Sequence, residues 1–312
     1  MPDQLSRRSA LKITAGTVAG LAFGCASTHK SANEIKGFEI SLAQWSLHRE
    51  LYAGEIDNLD FPTITRTRYQ LGACEFVNSF FKDKANDYAY LSDLKGRADA
   101  EGVECLLIMC DGIGNLGDPD DAARTRAVEG HVPWLEAANR LGCHSIRVNA
   151  ASSGSFGEQQ KLAADGLRRL TELGAERELN VLVENHGGLS SNGAWLAGVM
   201  QMVDHPRCGT LPDFGNFCMD WSRQDDPDAW YDRYKGVEEL MPYAKAVSAK
   251  SHEFNVEGDE VRTDYFRMLR IVTNAGYHGY VGIEWEGGDI SEHEGVLATK
   301  RLLERVRNKM IA

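Results

Sequence analysis

Four segments in the second half of the chain each begin as an apolar, strand-like run and stop at polar residues or glycine. They are VLVENHGG (181–188), TLPDFGNF (210–217), AVSAKSHEF (246–254) and YVGIEWEGG (280–288). Short β-branched runs bounded by turn residues predict β-strands. Each strand ends near a side chain that can bind a metal ion, and these side chains are Glu184, Asp213, His252 and Glu284. The spacing, about one strand, one helix and two loops, predicts neighbouring strands of one parallel sheet.

The rest of the chain repeats this alternation of strands and helices. Further strands are predicted at 38–45, 73–78, 103–110 and 144–149. Helices are predicted at 61–71, 87–102, 121–141, 158–178, 194–203, 227–241, 263–275 and 293–308. Eight strands alternating with eight helices, with no linker between them, predict an α/β fold, a single (β/α)8 TIM barrel. The alternative, a doubly wound open sheet, would need a glycine-rich turn after the first strand, and SLAQWSLHREL (41–51) contains no glycine.

The N-terminus has the pattern of an export signal. SRRSALK (6–12) is a twin-arginine pattern, and the apolar run that follows, 13–24, is too short to span a bilayer. We therefore predict a signal peptide (1–24), a tether (25–37) and a catalytic domain (38–312), exported to the periplasm. LAFGC (21–25) resembles a lipoprotein cleavage box, although Phe23 is bulky for its position. A lipid anchor at Cys25 and a free periplasmic protein both remain open.

Composition excludes some classes of partner. The net charge of −12 argues against binding a DNA or RNA backbone. The remaining cysteines lie mostly in apolar runs without close CxxC pairs, which predicts small core residues and no disulfide framework. These cysteines are Cys74, Cys105, Cys110, Cys143, Cys208 and Cys218. Whether the chain forms a homo-oligomer is left open.

A TIM barrel would bring the four segment ends together. Active sites of such barrels lie at the C-terminal ends of the strands. Residues two apart on a strand share one face. The pairs that this rule predicts are Glu184 with His186, Lys250 with His252, and Glu284 with Glu286. An oxygen-rich ligand set with one imidazole suits Mn²⁺, Mg²⁺ or Co²⁺.

These motifs together resemble the sugar phosphate isomerase/epimerase family, the xylose-isomerase-like TIM barrels. The resemblance covers most of 38–309 and includes SLAQWSLH (41–48). It implies one divalent ion, Mn²⁺, Mg²⁺ or Co²⁺, held by Glu, Asp, His and Glu. By match to the motifs, these roles fall on Glu184, Asp213, His252 and Glu284.

The seventh-strand position departs from the simplest family pattern, because it offers both Lys250 and His252. We prefer His252 as the ligand, since a lysine must lose its proton before it can bind a metal. Lys250 is then expected to bond a substrate oxygen or an enolate.

The chemistry that the resemblance implies is proton abstraction beside a metal-chelated carbonyl, through an enediolate. Glu184 and Glu284 are the expected acid/base pair, with His186 orienting a hydroxyl or leaving group. Residues expected to contact the substrate are Arg147, Asn149, Trp45, Glu75 and Glu286.

Three function classes follow for a small carbohydrate substrate. The first is a sugar isomerase or epimerase. The second is a lyase that eliminates from a 3-keto-glycoside or inosose through the same enolate. The third is a non-catalytic sugar-binding protein, which would not need both glutamates.

Overall fold

The computed structural model describes residues 37–311, so the predicted signal peptide and all but the last residue of the predicted tether, with Cys25, lie outside the described residues. The strands are β1 Glu39–Ala43, β2 Ala73–Val77, β3 Glu104–Met109, β4 Ser145–Val148, β5 Asn180–Glu184, β6 Cys208–Leu211, β7 Val247–Ser251 and β8 Tyr280–Trp285. The α-helices of this part are α1 His48–Ala53, α2 Phe61–Thr67, α3 Tyr88–Glu101, α4 Asp121–Leu141, α5 Phe156–Ala175, α6 Gly193–Val203, α7 Arg233–Leu240, α8 Tyr265–Asn274 and α9 Glu292–Ile311. Between residues 37 and 311, no helix has the length and apolar character needed to cross a membrane.

All eight strands belong to one parallel sheet in the order β6-β5-β4-β3-β2-β1-β8-β7. The two end strands, β6 and β7, are joined only by isolated parallel bridges, Thr210 to Ala244 and Asp213 to Ser248. The Ser248 N–H donates to the carbonyl of Pro212 at 2.9 Å. Because proline has no N–H to donate, a regular ladder cannot continue through this position. The bridges close the sheet, and the predicted single (β/α)8 barrel is confirmed.

The apolar side chains form two layers. Side chains alternate along each strand between the barrel interior and the helices. A large core, which includes Phe76, Leu167 and Val183, lies between the strands and the helices. The interior apolar layer is small and consists of Ala43, Val77, Leu107, Met109, Leu182, Leu211 and Ala246. Polar side chains therefore occupy much of the remaining interior.

Local capping signals set most of the helix ends. Asp120 caps α4 by accepting a hydrogen bond from the Ala123 N–H at 2.7 Å. The same helix ends at Gly142, whose φ of 75° is the left-handed conformation that glycine adopts freely. The predicted helix 227–241 is shorter than expected, because Asp232 accepts from two backbone N–H groups and starts α7 at Arg233. The short helix α1 was not predicted.

The cysteine prediction is confirmed for the described residues. All six cysteines beyond Cys25 are free and buried. Burial raises the pKa of the Cys208 thiol to about 11, so this thiol stays protonated at neutral pH. These residues act as small apolar side chains in the core.

Candidate active site

Three buried carboxyl groups meet at the C-terminal ends of the late strands. Glu184 is the last residue of β5, Asp213 follows β6 by two residues, and Glu284 lies near the end of β8. Each offers one carboxylate oxygen, and these oxygens all lie within 4.8 Å of one another. The exposed fractions of the three residues are 0%, 0% and 3%. The barrel thus brings together three of the four predicted metal ligands.

Asp213 is fixed in place by backbone and side-chain donors. Its Oδ1 accepts from the backbone N–H groups of Gly215 at 2.8 Å and Asn216 at 2.7 Å. Its Oδ2 accepts from the Ser248 hydroxyl at 2.6 Å. The Asn185 side chain accepts from the Asp213 N–H at 2.8 Å. The turn Asp213–Asn216 therefore positions this carboxylate rigidly, as a metal or substrate site requires.

Glu184 is held by one hydrogen bond and one ion pair. Its Oε1 accepts a hydrogen bond from the Asn216 amide at 2.8 Å. Its Oε2 lies 2.8 Å from Arg147 Nε, but the two atoms are not aligned for a hydrogen bond, and neither has another partner among the described residues. A buried carboxylate oxygen without a hydrogen bond is costly. Glu184 Oε2 therefore has a lone pair available for a cation.

Ser248 lies between two of the carboxylates. Its Oγ is 2.6 Å from Asp213 Oδ2 and 3.0 Å from Glu284 Oε2. A serine hydroxyl has one hydrogen, whereas ionised carboxylates only accept. Both contacts are satisfied only if one carboxyl group holds a proton or a cation lies among the oxygens.

Lys250 supplies the nearest positive charge. Its ammonium is 3.0 Å from Glu284 Oε1 and 2.9 Å from Glu286 Oε2, and it donates to Asn216 Oδ1 at 3.3 Å. Burial favours the neutral amine, but Glu284, Asp213 and Glu286 outweigh burial and hold the pKa of Lys250 well above its usual range. The lysine therefore stays charged. Any change of protonation that balances the charge of this cluster must occur on the acidic residues.

Acidic side chains outnumber basic ones around the group of three carboxylates. Burial raises the pKa of Asp213 to about 7, with Lys250 opposing the shift and Glu284 adding to it. Burial likewise raises the pKa of Glu184 to about 7 against the opposing charge of Arg147. Five carboxyl groups face two cations here, namely Asp111, Glu184, Asp213, Glu284 and Glu286 against Arg147 and Lys250. The cluster thus needs protons or a further cation near neutral pH.

A divalent cation fits this donor set. Three carboxylates and the Ser248 hydroxyl offer only oxygen atoms, which hard cations such as Mg²⁺ and Mn²⁺ prefer. The excess of negative charge and the open lone pair of Glu184 are the features that such an ion would satisfy.

The His252 ring lies outside the group of three carboxylates. Its Nε2 lies 3.9 Å from Glu286 Oε2, and the group of oxygens within 4.8 Å of one another does not include this ring. Strand β7 ends at Ser251, and its inward positions are Ser248 and Lys250, so His252 follows the strand end. Burial, with the charges of Arg262 and Lys250, lowers the pKa of His252 to about 4. The ring is therefore neutral at pH 7, at the edge of the site.

A cavity of about 240 Å³ opens over the cluster. Six predicted site residues line it, namely Trp45, Arg147, His186, Lys250, Glu284 and Glu286. The Trp45 indole N–H donates to Glu286 Oε1 at 3.0 Å. Burial and the bases Arg147 and Lys250 lower the pKa of His186, so its imidazole is neutral at pH 7. The cavity therefore combines an aromatic wall, two cations and three carboxylates, those of Asp111, Glu284 and Glu286.

Two predicted substrate contacts are placed elsewhere. Glu75 points into the barrel interior, where it accepts from the Ser41 hydroxyl at 2.6 Å and is 1% exposed. A Cβ at residue 282 would lie 2.6 Å from its Oε1, so any larger residue there would force the Glu75 carboxylate to move. Asn149 donates to Asp111 Oδ1 at 2.8 Å. Neither Glu75 nor Asn149 is among the residues that line the cavity.

Three residues of the site were missed by the sequence interpretation. Asp111, two residues after β3, accepts from Arg147 at 2.7 Å and lines the cavity. Asn216 bonds both Glu184 and Lys250. Ser248 bridges two carboxylates. The strand-end rule could have found Asp111, and residue alternation from Lys250 could have found Ser248.

Solved structures share this fold at low sequence identity. The 3-keto-D-glucoside 4-epimerase YcjR from E. coli is 15% identical, with a TM-score of 0.62 over 79% of this chain and 94% of that one. The IOLI protein with a bound zinc atom is 13% identical, with a TM-score of 0.65 over 88% and 99%. The probable 3-DHS dehydratase from Bacillus anthracis is 17% identical, with a TM-score of 0.60 over 86% and 99%.

Sequence comparisons complete the assignment. No curated protein matches the chain. Residues 69–308 match the family described as Xylose isomerase-like TIM barrel. This match spans well over half of the sequence and agrees with the resemblance found in the four segments. The chain belongs to the xylose isomerase-like TIM barrel family.

Proposed function

We propose that this protein is a divalent-metal-dependent sugar isomerase or epimerase that removes a proton from the carbon beside a carbonyl group. The observation that carries the proposal is the convergence of Glu184, Asp213 and Glu284 beneath a polar and aromatic cavity. Structural neighbours include a sugar epimerase and a dehydratase, which supports an enzyme that modifies sugars.

Glu184, Asp213 and Glu284 would hold the ion, with Ser248 Oγ as the nearest fourth oxygen donor. This assignment moves the fourth ligand from His252 to Ser248. The ion, Mn²⁺, Mg²⁺ or Co²⁺, would act as a Lewis acid on the substrate carbonyl. The IOLI protein, which shares this fold, binds a zinc atom, and this supports a metal-binding function for the present chain.

The side chains of the site would carry out proton transfer, charge stabilisation and substrate orientation. Glu284 lines the cavity and takes the proton from the carbon. Glu184, a buried member of the carboxylate group beneath the cavity, is the second acid/base group that the family resemblance implies, and its role would be to return a proton to the other face. The Lys250 ammonium, held charged by its neighbours, stabilises negative charge that develops on the substrate oxygen. Neutral His186 orients a hydroxyl group, and the Trp45 ring packs against the apolar face of the sugar.

Elimination is the second candidate reaction. A lyase would begin with the same proton abstraction and then expel a group from the neighbouring carbon of a 3-keto-glycoside or inosose. The structural likeness to a probable 3-DHS dehydratase favours keeping this candidate. The two reactions differ only after the carbanion forms.

Incubation with keto-sugars and 3-keto-glycosides in D₂O tests the proposal. The enzyme is purified metal-free and then loaded with Mn²⁺, Mg²⁺ or Co²⁺. An epimerase gives substrate and product with deuterium at the epimerised carbon, whereas a lyase gives an unsaturated keto-sugar and a released alcohol. The Glu284→Gln variant is the matched control. Absence of both exchange and elimination would contradict the proposal and favour a sugar-binding protein.

We also propose export to the periplasm through the twin-arginine signal. Replacing Arg7 and Arg8 with lysine should leave the protein in the cytoplasm, as measured by cell fractionation. Unchanged secretion of this variant would contradict the proposal. Labelling with palmitate would show whether Cys25 carries a lipid anchor.

A further inference from the structure

A second cavity lies beside the first and has no role in the proposed chemistry. Its volume is about 480 Å³, and it is formed by the loops that follow β1 and β2. Tyr52 and Ser79 line both cavities. Small-molecule sites typically have volumes of about 300–1,000 Å³. The first cavity, at about 240 Å³, is below this range, and the second cavity adjoins it through these shared residues.

An aromatic surface connects the two cavities. The Trp45 ring in the first cavity is 6.1 Å from the Phe80 ring, which lines the second. The Tyr52 ring lies 5.1 Å from Phe80 and 6.3 Å from Trp45. Tyr52 is 63% exposed, which leaves much of a large ring without a protein partner. Exposed aromatic rings of this kind bind the apolar faces of ligands.

The second cavity also has polar groups at its edge. Asp57, Lys82 and Asp83 are exposed and line it. At its base, Asn58 is already held, because it accepts from Gln44 and donates to the Tyr90 hydroxyl at 2.7 Å. A fixed base, an aromatic wall and charged groups at the rim suit a ligand with both hydroxyl groups and an apolar ring face.

We propose that the second cavity binds a second sugar ring, so that the substrate is a disaccharide-sized glycoside with its keto-sugar ring over Glu284. The inference rests on the proposed function, and it narrows the substrate class to keto-glycosides with a sugar aglycone. Tyr52 packs between the two rings, and Phe80 and the charged rim contact the aglycone.

Two probes that differ only in the aglycone test this inference. One is a disaccharide oxidised to a 3-ketone in one ring, and the other is the methyl glycoside of the same oxidised ring. We expect kcat/KM to be about tenfold or more higher for the disaccharide, equivalent to about 1.4 kcal/mol. Tyr52→Ala should lower this preference toward unity.

A blocking variant gives the sharper result. Asp83→Trp places a bulky ring in the second cavity at an exposed position. It should reduce kcat/KM for the disaccharide about tenfold and leave the methyl glycoside within about twofold, as expected for a contact of this strength. Asp225→Trp is the matched control, because Asp225 is an exposed aspartate that lines neither cavity.

The outcomes separate this inference from the proposed function. Turnover of both probes with equal kcat/KM, unchanged in Asp83→Trp, would overturn the second sugar site and leave the function intact. If neither probe reacts, calorimetric binding of the disaccharide to the wild type and to Asp83→Trp decides. The second sugar site is supported if the disaccharide binds Asp83→Trp more weakly than it binds the wild type. It is overturned if both proteins bind the disaccharide equally, or if neither binds it.

Discussion

The first strands of the barrel and the later ones carry their polar interior residues at opposite depths. In β1 and β2, Ser41 and Glu75 come first, and the apolar Ala43 and Val77 follow toward the C-terminal end. Glu75 is therefore enclosed below an apolar layer, with the Ser41 hydroxyl as its partner. Burial raises its pKa to about 7, with Ser41 opposing the shift and Glu284 and Glu184 adding to it.

The later strands have the reverse arrangement. In β5 and β6, the apolar Leu182 and Leu211 come first, and Glu184 and Asp213 follow at the C-terminal end. The pKa values of these two carboxyl groups are also raised to about 7, mainly by burial. Burial thus raises a carboxyl pKa to about 7 both at the enclosed Glu75 and at the candidate site. Convergence of several carboxylates beneath a cavity, and not burial alone, distinguishes the candidate site.

The largest expected difference between the two regions is in catalysis. Glu284→Gln should lower kcat/KM by about 10²–10⁴-fold, because the amide cannot accept the proton. Glu75→Gln should retain activity within a few-fold, since Glu75 neither lines the cavity nor belongs to the group of three carboxylates. Steady-state kinetics on both metal-loaded variants measure this. Equal losses in the two variants would mean that the enclosed glutamate takes part in the reaction.

The second difference is in the pH dependence of stability. Glu75 has a folded pKa of about 7, above its ordinary value of 4.5. The folded protein therefore keeps this proton while the unfolded chain loses it, and the free energy of unfolding falls as pH rises from about 4.5 to 7. Relative to Glu75→Gln, the metal-free wild type should lose about 3 kcal/mol over this range.

Urea unfolding of the metal-free wild type and of metal-free Glu75→Gln at several pH values measures the difference in their free energies of unfolding. The contribution of histidine titration cancels, because both proteins contain the same histidines. A difference that does not change with pH would show that Glu75 is ionised in the folded protein.

The third difference concerns metal affinity within the later strands. Ser248→Ala should weaken Mn²⁺ binding by about 10–100-fold, because the hydroxyl contacts two of the carboxylates. His252→Ala should leave the affinity essentially unchanged, since its ring lies outside the group. Calorimetric titration of the metal-free proteins measures both constants. Loss of binding in His252→Ala with normal binding in Ser248→Ala would restore the original ligand assignment.

The sequence predicted the barrel because strand and helix patterns repeat with little interruption. It also predicted the three carboxylates, because each lies within two residues of a strand end. The position of His252 could not be derived, since β7 ends at Ser251 and the alternation that places Ser248 and Lys250 inward does not continue to the residue after the strand. Glu75 fits the same strand pattern, but its depth depends on Gly282 of a distant strand, which leaves room for the carboxylate.

The loop contacts were harder to predict for a different reason. Asn216 and Asp111 act through partners on other strands, 32 and 36 residues away in the chain. Such partners become visible only when the barrel brings the strand ends together.

The break between β6 and β7 has a consequence for local dynamics. Asp213 and Ser248 form one of the isolated bridges between the β6 and β7 segments, and both belong to the candidate metal site. An ion bound there would add links between strands where few backbone hydrogen bonds hold them. We expect amide hydrogens around Phe214 and Ser248 to exchange more slowly after metal addition, while those of the β1–β2 ladder change little. The exchange rate of these amide hydrogens would then report whether metal is bound at the site, without any substrate.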